Sequence, residues 1–228
     1  MTDAAQNPEA HPKAQDKPVA VIVLAAGAGT RMKSATQKTL HSIGGRTLLS
    51  HSLHAAAGID PARIVAVIGH GRDQVGPAVA EVSKQLGREI DTAVQEQQNG
   101  TGHAVQCAME ALEGFEGTVV VTNADVPLLS PDTLRELTAT HNGASVTVLS
   151  VHQDNPTGYG RILRTNDGMV TAIVEEKDAT EKQKAITEVN SGVFAFDAAI
   201  LRDGLAQLNT DNAQGELSAR PGRYRYST

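Results

Sequence analysis

The chain has 228 residues, 40% hydrophobic and 20% charged, which suits one large or two small soluble globular domains and excludes a disordered chain. Its formal net charge of −6 repels a polyanion such as DNA in bulk and excludes no small phosphate ligand, because nearby cations decide binding at short range. Aromatic residues make up only 3%, so the core must be built from Val, Ile, Leu and Ala.

Taken in chain order, Met1 to Lys17 is rich in Ala, Gln, Pro, Asp and Lys without periodicity and reads as a disordered extension. It also lacks the apolar centre of a signal peptide, and no later apolar run approaches the roughly 18 residues of a membrane span. Val19 to Leu24 is an unbroken, β-branched apolar run, expected as a strand buried on both faces of a parallel sheet. Helical stripes follow at Thr47 to Ala57, Gln74 to Leu86 and Gly102 to Leu112. Between and after them lie strands at Ile64 to Ile68, Ile90 to Val94 and Thr118 to Thr122. Pro131 opens a further helix, and Ser145 to Val151 reads as a fifth strand. Such alternation implies a Rossmann-like α/β fold, a mostly parallel sheet with helices on both faces. After Val151 the pattern changes to strands at Arg161 to Leu163, Val170 to Val174 and Val189 to Phe196, with a short helical segment near Thr180 to Ile186. These are expected to form a mixed β extension over one side of the site.

Cys107 is the only cysteine, so neither an intramolecular disulfide nor a Cys-rich zinc site is available. It falls on the apolar face of a predicted helix and reads as a small core residue. A reducing, cytoplasmic compartment and the absence of a membrane partner are expected. His51 and His54 share a helix face without a further ligand, a weak metal signal. Arg220, Arg223 and Arg225 alternate with two tyrosines, too little to argue for nucleic acid.

The chemistry concentrates at strand exits. The first strand ends in Ala25-Ala26-Gly27-Ala28-Gly29-Thr30, where small side chains let a ligand approach bare N–H groups; Arg31 and Lys38 follow as fixed cations. Counted from Gly27, Met32 stands where a P-loop needs its second glycine and where a dinucleotide fingerprint needs its third, so neither motif applies. The string from Leu24 to Met32 with Lys38 resembles the sugar-nucleotidyltransferase signature. With Lys38-x-Leu40-His41 and Gly45-Arg46 added, it is similar to the bacterial N-acetylglucosamine-1-phosphate uridyltransferases.

Three further stretches bear on this. Gln95 to His103 reads QEQQNGTGH and opens a predicted helix, with an amide able to read a pyrimidine edge. It matches the family's Gln-x-x-x-x-Gly-Thr-Gly-His-Ala motif. The resemblance implies that Gln95, Gly100 and Thr101 hold the uracil end, with backbone help from Ala26 and Gly27, and that Leu24 and Ala25 also bind substrate. Thr122 to Leu128 runs an apolar strand into one carboxylate, Asp125, which belongs beside the loop after the first strand and suits Mg²⁺ shared with phosphate oxygens. The family has a glycine where Ala124 stands, and Asn123, Ala124 and Asp125 are expected against the substrate. The loops at Asn155 to Ile162, Ile173 to Asp178 and Glu188 to Gly192 supply glycines, carboxylates and an amide. They resemble the family's sugar pocket, carried over as Gly160, Glu175 and Asn190.

The implied reaction joins UTP and N-acetylglucosamine 1-phosphate to give UDP-N-acetylglucosamine and pyrophosphate, with Arg31 and Lys38 as catalytic cations and Mg²⁺ on Asp125. Another nucleotidyltransferase of the same fold, or a non-catalytic nucleotide-binding module, are the alternatives, and no particular oligomeric state is implied. The domain is expected over residues 18–216. Asn209 to Glu216 is close to the family's Asn-Ala-Gln-x-Glu element, but from Leu217 the sequence LSARPGRYRYST departs from it. The family's second metal ligand, an asparagine, and its acetyltransferase β-helix have no counterpart in this sequence. The expectation is no acetyltransferase activity and a uridyltransferase that is weak or needs raised Mg²⁺.

Overall fold

The structure, a computed structural model, describes residues 17–27, 29, 32, 34 and 36–207. Arg31, most of the N-terminal extension and the whole segment from Asn209 onward, including the divergent tail, lie outside the described residues.

In chain order the elements are strand β1 (Val19–Leu24), the short hairpin strands β2 (Ser42–Ile43) and β3 (Arg46–Thr47), helix α1 (Leu48–Ala57) and strand β4 (Arg63–Ile68). Then come α2 (Arg72–Leu86), β5 (Asp91–Val94), α3 (Gly100–Ala111), β6 (Thr118–Asn123) and α4 (Pro131–His141). The last part holds β7 (Val146–His152), β8 (Arg161–Arg164), β9 (Val170–Val174), α5 (Glu181–Lys184), β10 (Glu188–Asp197) and α6 (Ala198–Ala206). Local chemistry sets several of these boundaries. Thr47 Oγ1 accepts from the Ser50 N–H to start α1. Ser130 does the same for α4, with Pro131 at its first turn.

One sheet carries the molecule, in the order β5-β4-β1-β6-β10. β5, β4, β1 and β6 are parallel, and β10 joins β6 antiparallel. The fifth strand expected from the sequence, β7, runs the same way as the parallel strands but does not touch them, because β10 inserts between it and β6. β10 is long enough to serve two neighbours on one edge. Its second half pairs with β6 and its first half with β8, which carries β9 as the outer strand of the extension. Helix α6 was not foreseen; Asp197 caps it, accepting from the Ala199 and Ile200 N–H groups at 3.0 and 3.3 Å.

The low aromatic content is answered by two aliphatic layers. Val21, Val23, Leu49, Leu53, Val75, Val79 and Leu134 pack between the sheet and α1, α2 and α4. Ala20, Ile22, Val105, Ala108, Leu112, Leu201 and Leu205 pack between the other face and α3 and α6. β1 thus buries both faces, and truncating a residue such as Leu53 to Ala would cost about 2–5 kcal/mol.

Candidate active site

The parallel strands all end on the same side, and there the expected residues meet. Leu24 is in register with Asn123 of β6 and Val67 of β4. Past the strand ends the backbone stays tied: Ala25 N–H donates to Val67 O at 2.8 Å, and Ala124 N–H to Leu24 O at 2.9 Å. Ala25, Ala26 and Ala124 are buried, whereas Gly27 is exposed and a Cβ built on it would meet open space. The strand exits therefore present bare backbone to a cleft between the loops after β1 and β6.

The stretch Gln95 to His103 follows β5, two strands from β1 on the side away from β6. Gln95 N–H donates to Ile68 O, which extends the β4–β5 pairing by one residue and fixes where the side chain starts. Gln95 is only 5% exposed; its NH₂ donates to Gly100 O at 3.0 Å and lies 3.2 Å from His103 Nδ1. Its Oε1 has no partner among the described residues, so the acceptor half of the amide is the part left for a ligand N–H. Thr101 is exposed in the first turn of α3, and the cap residue Asn99 makes no side-chain cap bond, which leaves N–H groups at this helix end for a ligand. The sequence reading missed Gln98. Its NH₂ donates to Ala26 O at 3.0 Å and ties this stretch to the loop after β1. The only signal was a third amide inside the same motif.

Lys38 opens a short 3-10 turn, Lys38–Leu40, and its ammonium donates to the Asp125 carboxylate. The pair stands at the cleft between the exits of β1 and β6, with side chains 41% and 30% exposed. Among the described residues no three His, Cys, Asp or Glu side chains gather into a metal cluster. Asp125 can thus give a hard cation one carboxylate, and a six-oxygen shell would have to be completed by phosphate and water. That donor set fits Mg²⁺ arriving with a nucleotide rather than a resident ion.

The expected sugar residues form the far wall. Asn190 N–H donates to Gly160 O at 2.8 Å, and a Cβ on Gly160 would stand 2.9 Å from Glu175 Oε1 and 3.0 Å from Ile173 Cγ2. Gly160 therefore lies against both Glu175 and Asn190, and three separate segments converge on it. The register of β10 slips between Asn190 and Val193, and Gly192 takes φ +78° there. Asn190 Oδ1 accepts from the Gly192 N–H at 2.9 Å, and a Cβ on Gly192 would lie 2.7 Å from Asn123 Nδ2. Through this bulge the wall abuts the end of β6.

With this geometry in view, the match of residues 21–214 to the model of the MobA-like NTP transferase domain is decisive. The chain belongs to that family. It is 94% identical over 199 residues to the bifunctional protein GlmU of Corynebacterium jeikeium (strain K411), covering 87% of this chain and 41% of the relative. It is 69% identical over 206 residues to the bifunctional protein GlmU of Corynebacterium glutamicum (strain ATCC 13032), covering 90% and 42%. The chain thus spans about two fifths of the length of these relatives. Among solved structures, a UDP-glucose pyrophosphorylase complexed with UDP-glucose matches with TM-score 0.71 and 17% identity over 89% of this chain and 84% of that one. HddC from Yersinia pseudotuberculosis, complexed with GMP-PN, matches with TM-score 0.68 and 19% identity over 91% and 88%. These two share the fold with this NTP transferase domain. No helix among the described residues is long and apolar enough to cross a membrane.

Proposed function

We propose that this NTP transferase domain transfers the uridylyl group of UTP to N-acetylglucosamine 1-phosphate, giving UDP-N-acetylglucosamine and pyrophosphate for cell-wall precursor synthesis. The observation that carries the reading is the Lys38–Asp125 pair at the strand exits, with the Gln95–Thr101 stretch on one side and the Gly160–Glu175–Asn190 wall on the other. The uridyltransferase motifs from Leu24 to Lys38 and Gln95 to Ala104 support the choice of base and sugar, as does the similarity to the bifunctional GlmU proteins.

A phosphate oxygen of the sugar phosphate attacks the α-phosphorus in line. One P–O bond forms there, and the bond to the pyrophosphate oxygen breaks. The protein's part is alignment and charge. Gln95 Oε1 and the N–H groups opening α3 orient the base, and Ala26 and Gly27 line the ribose-phosphate path with backbone. Glu175 and Asn190 fix the sugar so that its phosphate reaches the α-phosphorus. Lys38 leaves Asp125 for phosphate oxygens, with Arg31 as the second cation. Asp125, freed of the ammonium, is the residue that would hold Mg²⁺, and the cation bound there supplies charge neutralisation to the phosphates.

Pyrophosphate release by the full chain, measured across nucleoside triphosphates and sugar 1-phosphates with and without Mg²⁺, tests the proposal. UTP with N-acetylglucosamine 1-phosphate should give the highest kcat/KM, and only with Mg²⁺. Equal or faster turnover of another pair would replace the base or sugar assignment.

A further inference from the structure

The most completely buried charged side chain described in the protein is not in the cleft. Arg161, at the start of β8, is 1% exposed. Desolvating a guanidinium is costly unless its donors are met, and here they are. Nη1 donates to Tyr159 O, Nη2 donates to Glu176 Oε2 at 2.6 Å, and Nε and Nη2 reach Lys184 O at 3.4 and 3.3 Å. The Gly158 N–H donates to the same Glu176 oxygen at 3.2 Å. One planar fork thus ties the loop before β8, the turn after β9 and the end of α5.

Two of the tied segments carry a residue of the proposed sugar wall, and β10 brings the third beside Arg161. Arg161 follows Gly160 directly. Glu176 follows Glu175. Val189, in register with Arg161, precedes Asn190. The wall needs this support, because its three residues come from three segments and meet within van der Waals distance at Gly160. A sideways shift of the turn after β9 would move Glu175 away from Gly160.

We infer that Arg161, braced by Glu176, is the positioning residue of the sugar pocket, acting through Gly160, Glu175 and Asn190 without touching substrate; the inference rests on reading those three as that pocket. Lysine keeps the charge but lacks the planar fork and cannot hold all three segments. Arg161→Lys should therefore raise KM for N-acetylglucosamine 1-phosphate at least tenfold while KM for UTP stays within twofold. Glu176→Gln, at a partly exposed side chain, should give the same split more mildly and serves if the arginine variant fails to fold. Glu176→Asp, which restores the charge, should recover part of the loss. Steady-state KM for each substrate is read beside the melting temperature of each variant. A parallel rise in both KM values, or a lowered melting temperature with both KM values unchanged, would overturn the inference while leaving the proposed reaction standing. A wild-type chain that accepts UTP but no sugar phosphate would instead overturn the pocket reading, and the inference with it.

Discussion

Replacing Asp125 by Asn, beside Lys38→Ala, separates a catalytic pair from a structural one. The two side chains are 41% and 30% exposed, so solvent screens their attraction, and an exposed pair of this kind contributes about 0.2–1 kcal/mol to stability. For a chain of this size that is a melting-point change of roughly 4 °C or less. Neither residue belongs to the two aliphatic layers, so no cavity adds to the cost. The effect on turnover should be of another order. Losing the carboxylate that would hold Mg²⁺ against the developing phosphate charge should cost about 10²–10³ in rate, or about 2.7–4 kcal/mol, and the lysine truncation should fall between about two and four powers of ten. Pyrophosphate release under subsaturating substrate gives kcat/KM, and thermal unfolding monitors the fold. Either variant turning over within threefold of wild type would refute the catalytic assignment of that residue. A drop in melting temperature above 10 °C would show that the pair holds the loops together instead.

Three other outcomes follow from the geometry. Gln95→Ala should raise KM for UTP far more than KM for the sugar phosphate, because Oε1 is the amide atom left for the base; equal changes in the two constants would make Gln95 structural. Arg164 donates two hydrogen bonds to Glu188 and holds its carboxyl down at about 2, against desolvation, with Ser150 adding a third. Because the folded-state value lies below the unfolded one, this stabilisation is complete above pH 4.5 and is lost as pH falls toward 2. The stability gap between wild type and Glu188→Gln, measured by urea unfolding, should therefore close across that window. Burial pushes the His141 imidazole below its usual range, partly countered by Asp197, so the unfolded chain takes up the proton first; stability should fall as pH drops below about 6.5, and His141→Gln should remove that component.

The parallel half of the fold was legible because its residues answer to one force at a time. Val19–Leu24 has the bounds its apolar run announces, as Val170–Val174 also does in the extension, and α1 begins where Thr47 can cap it. The strand order beyond β6 was not legible. β7 is as apolar as the parallel strands, and nothing in its composition says that a strand some forty residues later, β10, will separate it from β6. Such an insertion is decided by long-range pairing, which leaves no periodicity of its own. α6 was hidden for a different reason: its apolar positions continue directly from those of β10, and only the capping oxygen of Asp197 marks the change.

Within the site, small residues and lone charges were readable, while the partners of polar side chains were not. Asp125 could be placed at a strand exit from the pattern of β6 alone, but that Lys38 lies against it depends on a turn 87 residues away in sequence. The same holds for Arg161, which looks in sequence like one more strand-end charge and is in fact buried among three segments. The reason is physical. Burial of a charge is tolerated only where acceptors from other segments converge on it, and that convergence belongs to the tertiary fold rather than to any window of the chain. The β10 bulge shows what the convergence achieves. Gly192 lets Asn123 approach from the parallel half while Asn190 faces Gly160 in the extension, so a single slip in register joins the cleft where phosphates would lie to the wall where a sugar would bind.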